Sequence, residues 1–140
     1  MYEEEYNNTT KIVEYVSVIT ILLIILIILV PSVSNIIYNV SKRSSEISTQ
    51  GTIETVKAFY VNVNLTKTVD LPFKVIFDND KYTFYENGKK INLKNTLNNR
   101  GKLPTAGSIQ LNTDGSVTVK NLTFGKFVCN QTNKKSLVCD

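Results

Sequence analysis

Hydrophobic and polar positions are distributed very unevenly along this chain. From Ile12 to Val30 the sequence reads IVEYVSVITILLIILIILV, and no charge falls between Tyr15 and Ser41. A helix of about 20 residues rises roughly 30 Å, the thickness of a bilayer's hydrocarbon core. Each Ile, Leu or Val in such a helix favours insertion by about 0.3–0.6 kcal/mol, so the run as a whole strongly prefers lipid. A buried helix of a soluble domain is the competing reading, but the rest of the chain is too small to surround a helix apolar on every face. A removed signal peptide needs a basic start and a small-residue cleavage site, whereas this N-terminus is acidic and no A-x-A comes after the run. The pattern therefore predicts a retained transmembrane helix over residues 12–31, preceded by an acidic leader over 1–11.

The helical period continues beyond Pro31. Val33, Ile36, Ile37 and Val40 fall at i, i+3, i+4 and i+7, and Ile47 extends that face. Proline lacks an N–H and frees one carbonyl, which predicts a kink or a locally melted turn at Pro31. Past Ser48-Thr49-Gln50-Gly51-Thr52 a second face appears, Ile53, Val56 and Tyr60, out of phase with the first by about 120° at 100° per residue. Either the helix bends near Gly51 or its two portions pack against different neighbours. Residues 32–62 are thus expected to form an amphipathic continuation of the helix.

From Leu71 the period changes to two. Phe73, Val75 and Phe77 alternate with Lys74 and Ile76, and Asp78-Asn79-Asp80 reverses the chain. Lys81–Glu86 comes next, then Asn87-Gly88, a strong hairpin signal because both central residues of a type I′ turn need positive φ. Lys89–Leu93 is the expected return strand and Asn95–Ala106 reads as a loop. Further strands are expected at Ser108–Leu111, Val117–Val119, Leu122–Phe124 and Phe127–Cys129, with turns at Thr113-Asp114-Gly115 and Gly125 and a last segment at Leu137–Cys139. The prediction is an α+β fold in which residues 63–140 form one antiparallel sheet with a single apolar face, covered by the second half of the helix.

Composition narrows the function. The 140 residues include two cysteines and no histidine, which removes His-based triads, His general bases and the usual mixed His/Cys zinc sites. With no nucleophile–base pair in view, an enzyme is not expected, nor is a cofactor or a metal site. Asp78-Asn79-Asp80 lacks the succeeding Gly and distal Glu of an EF-hand loop. The sequons at Asn39, Asn64, Asn121 and Asn130 are read as accidental in a chain this rich in Asn and Thr. Charge is also lopsided: residues 1–14 carry Glu3, Glu4, Glu5 and Glu14 against Lys11, whereas the part from Ser41 onward carries 15 Lys/Arg against 8 acids. Without a tight basic cluster interleaved with aromatics, nucleic acid is only a weakly supported partner.

Three positions carry chemistry. Glu14 lies one turn inside the apolar run, where it either reaches the headgroups or marks a partner. Cys129 and Cys139 stand close together at the end of a small domain; a disulfide is the simplest reading in an exported domain, and two buried free thiols the reading in a cytosolic one.

This layout resembles type IV pilins and the related pseudopilins of competence and type II secretion systems. Their long N-terminal helix has a Glu near its start and a Pro 17 residues later, the spacing of Glu14 and Pro31. Ile12-Val13-Glu14 is similar to the core of the family's start motif, and Pro31-Ser32-Val33-Ser34-Asn35 is similar to the stretch that begins at its Pro. The run KLPTAGSIQLNTDGSVTVKNLTFGKFVCN resembles the sheet of pilin-like proteins from low-GC Gram-positive bacteria, and Cys129 and Cys139 are placed like the disulfide loop of many pilins. The resemblance implies that Glu14 neutralises the freed N-terminal amine of a neighbouring subunit. It implies that Pro31 marks where the helix loosens on leaving the bilayer, and that the aliphatic run exchanges lipid for neighbouring helices. Where the family's leader is basic and ends in Gly, this chain has MYEEEYNNT, with Thr9 at that place.

Two functions are expected from these features. One is a structural subunit of a pilus-like or pseudopilus filament, with membrane lipid, further copies or other pilin-like subunits, and an assembly machinery as partners. The alternative is a single-pass anchored extracellular module that binds a ligand without polymerising. Lys42 and Arg43 after the helix argue by the positive-inside rule for a cytoplasmic C-terminal domain. The cysteine pair and the resemblance argue for the outside, which is the expectation carried forward.

Overall fold

The computed structural model describes residues 2–132 and 135–140, with side chains from Asn8 onward. One helix, α1 (Tyr2–Asn64), is succeeded by strands β1 (Phe73–Asp78), β2 (Lys81–Glu86), β3 (Lys89–Ile91), β4 (Ala106–Leu111), β5 (Val117–Phe124), β6 (Phe127–Gln131) and β7 (Val138–Cys139). The chain forms two compact units, residues 1–40 and 41–140.

The first unit is helix alone. Helical structure already begins at Tyr2, so no break separates the acidic leader from the apolar run. It also continues through Pro31, which corrects the expectation of a melted turn. Helical geometry survives although Pro31 cannot donate to the Ile27 carbonyl, and neighbouring hydroxyls stay inside the helix: Ser32 Oγ donates to the Ile28 carbonyl (3.3 Å) and Ser34 Oγ to the Val30 carbonyl (2.9 Å).

The second unit is the helix from Ser41 onward laid on a seven-stranded antiparallel sheet of order β3-β2-β1-β4-β5-β6-β7. This is the predicted α+β architecture. Period-two patterning decides which face is covered. Phe73, Val75 and Phe77 of β1 are buried, and their cross-strand neighbours Phe84, Ile109 and Leu111 are buried with them. From the helix, Thr49, Thr52, Ile53, Val56, Phe59 and Val63 close this face, each three or four residues from another member of the set. Phe59 and Phe84 stack with ring centroids 4.7 Å apart. Tyr60, half-buried, donates its hydroxyl to the Val69 carbonyl at 2.8 Å, which ties the helix to the segment leading into β1.

Within Ser48–Thr52 the second face already includes Thr49 and Thr52, while Gln50 and Gly51 are exposed. Thr49 and Thr52 bury their hydroxyls by donating back to the Ser45 and Ser48 carbonyls, at 2.9 and 2.8 Å. Small polar side chains can serve here because the helix itself satisfies them. Ile47, by contrast, is 60% exposed, so the Val33–Ile47 face does not share in this core.

Turns obey their chemistry. Asn79 and Asp80 (φ 42° and 66°) and Asn87-Gly88 (47° and 80°) hold the paired positive φ of type I′ turns. The return strand is shorter than expected, ending at Ile91. The expected strands Val117–Val119 and Leu122–Phe124 are one strand, β5, with register shifts beside Asn121, whose φ is 50°. A bulge inserts an unpaired residue without ending a strand, and sequence periodicity alone reads that as two strands.

Candidate functional site

The candidate site is the outer surface of the first unit's helix. Each of the Ile, Val and Leu residues from Ile12 to Val30 is at least 44% exposed, on every side of the helix. Val33, Ile36, Ile37 and Val40 prolong this apolar surface past Pro31. At 1.5 Å per residue the stretch from Ile12 to Val40 rises about 43 Å, longer than the roughly 30 Å of a hydrocarbon core. The helix is thus long and apolar enough to cross a membrane. Its polar atoms suit that medium: besides Ser32 and Ser34, Thr20 Oγ1 donates to the Val16 carbonyl at 2.7 Å.

Two ionisable side chains mark the N-terminal end of this surface. Glu14 and Lys11 are both exposed and stand three residues apart on the helix. Among the described residues neither forms an ion pair, the two salt bridges being Lys42–Asp140 and Lys57–Glu54. The order Lys before Glu is the poorer one for an intrahelical pair, because it opposes the helix dipole. Sequence reasoning singles out Glu14 and counts Lys11 only as charge. The signal for Lys11 is its solitude: it and Glu14 are the only charged residues between Tyr6 and Ser41. Pro31 is exposed within the same helix, 17 positions from Glu14.

Cys129 and Cys139 lie directly opposite each other on β6 and β7 and form a disulfide. Both are fully buried, and Cys129 Sγ sits 3.9 Å from the Ser45 carbonyl oxygen beneath the helix. The bridge therefore fastens the two-residue strand β7 into the core. Beside it, β6 is joined to the chain end by reciprocal bonds between Val128 and Asp140, at 2.9 and 3.0 Å.

The uncovered face of the sheet is polar and carries spaced cations. One cross-strand row runs Lys90, Tyr85, Lys74, Gln110, Thr118, and the next Thr83, Ile76, Ser108, Lys120. Asp78-Asn79-Asp80 is a hairpin turn, and among the described residues no group of three or more Cys, Asp or Glu is placed to hold a metal ion.

The fold and the exposed helix define a class: an α+β chain whose first unit has the length and surface of a membrane-spanning helix and whose second is a disulfide-fastened antiparallel domain. No family model, curated protein or solved structure matches the chain.

Proposed function

We propose that this protein is a structural subunit of a type IV pilus-like or pseudopilus filament. Its N-terminal helix is held in the membrane, with the C-terminal domain outside, until an assembly machinery draws it into the filament. The observation that carries this reading is the apolar surface on all sides of the first unit's helix, combined with one carboxylate, Glu14, inside the apolar run. A tether needs no carboxylate there, and an apolar surface that outruns the bilayer suits packing against further helices. The buried disulfide supports an oxidising location for the domain.

The test is incorporation. Wild-type chain and the Glu14→Leu variant are expressed in the native host and filaments are sheared from the cells. Wild type is expected in the sheared, sedimentable fraction, and Glu14→Leu is expected to remain in the membrane. Equal membrane insertion with neither protein in the sheared fraction would contradict the reading.

A second reading has its own observation. The cross-strand row Lys90–Tyr85–Lys74 places one cation on each side of an aromatic residue on the open sheet face. An anchored module could use that face for a polyanion, nucleic acid included. It predicts salt-sensitive ligand binding that Lys74→Ala weakens and Glu14→Leu leaves alone.

A further inference from the structure

Glu14 needs a partner of opposite charge once its helix leaves the headgroup region for a bundle of apolar helices, because an unpaired carboxylate in that medium is costly. We infer that the partner is Lys11 of a neighbouring copy, and that successive Lys11–Glu14 pairs, one at each contact, set the register between parallel helices. The inference rests on the filament reading above and supplies the contact that reading leaves open.

Charge complementarity between copies carries it. Between Tyr6 and Ser41 each copy offers one cation and one anion, three residues apart, both exposed on a helix and neither ion-paired to the other. Copies inserted in one membrane by the same rule lie parallel. Three residues correspond to about 4.5 Å of height, a little under one helical turn. A neighbour displaced by one turn thus brings its Lys11 level with Glu14, whereas a neighbour with no stagger sets like charges side by side. The staggered arrangement neutralises both groups, and every added copy repeats it. Lys11 thereby provides a positive group next to Glu14 in a chain whose leader carries Thr9 and three glutamates.

Charge exchange tests this. Full-length chains carrying a donor or an acceptor dye on an appended C-terminal peptide are reconstituted in phosphatidylcholine vesicles, and self-association is read by energy transfer. Protease protection checks insertion and orientation. Lys11→Glu and Glu14→Lys should each weaken self-association by about tenfold, the scale of an interhelical polar contact made unfavourable. The double exchange, Lys11→Glu with Glu14→Lys, should restore it to within about twofold of wild type. Single variants that associate like wild type would overturn the pairing, as would a double exchange that inserts normally yet stays as weak as the singles. Either result leaves the filament reading standing, provided wild type associates and enters sheared filaments. Wild type that does neither removes both.

Discussion

Phe59 of the helix lies flat against Phe84 of β2, ring centroids 4.7 Å apart and planes 8° apart, with Phe73 of β1 completing the stack. This aromatic layer joins the helix segment of the second unit to β1 and β2. A sheet with one apolar face needs that face covered, and this contact is part of the cover. Phe59→Ala removes a buried ring that the surroundings cannot refill. It should cost about 3–5 kcal/mol, read as a lowered midpoint in denaturant unfolding of the detergent-solubilised chain. Phe59→Leu should cost clearly less.

The disulfide should act on one edge of the sheet. Replacing Cys129 and Cys139 by Ala opens a loop with a sequence separation of 10. Closing such a loop is worth about 3 kcal/mol in the chain-entropy model. Amide exchange of Val128 and Asp140, whose backbone groups bond each other, should accelerate far more than that of Val75 and Ile109 at the sheet centre.

Glycines separate into two kinds. At Gly107 φ is 100°, and an added Cβ would overlap the Asn121 carbonyl and lie 2.6 Å from Leu122 Cα, so backbone must move. Gly107→Ala should cost about 3 kcal/mol or more. At Gly115 φ is 85° but the space is open, and Gly115→Ala should cost about 1 kcal/mol. Thermal unfolding monitored by circular dichroism orders the two.

Gly51 should behave in the opposite way. It sits inside the helix with nothing within 4 Å of an added Cβ. Gly51→Ala restricts the unfolded chain and should stabilise by about 0.5–1 kcal/mol. A raised unfolding midpoint checks this.

Much of this architecture is legible in the sequence because burial writes itself as period. Phe73, Val75 and Phe77 announce a half-buried strand, and Asn87-Gly88 announces the hairpin after Phe84. The exposed apolar run from Ile12 to Val30 is legible from hydropathy alone. The features that escape have physical causes. Thr49 and Thr52 are polar by name, yet their hydroxyls are spent on the helix's own carbonyls, so they pack as small apolar groups. Asn121 sits at positive φ within a bulge, a backbone property that side-chain pattern does not encode. Lys11 escapes because a lone lysine beside an apolar run is ordinary, and its placement relative to Glu14 matters only once both are on one continuous helix.

The central claim is that the apolar helix of the first unit becomes an interface between copies. It is tested most directly by replacing Leu26 with Cys and applying a bis-maleimide to intact cells before filaments are sheared. A ladder of covalent oligomers in the sheared fraction, absent when an added cysteine replaces exposed Lys126 on the second unit instead, is the predicted result. Monomer alone at Leu26→Cys, in cells where the chain is inserted and the thiol is shown to react, would contradict the account.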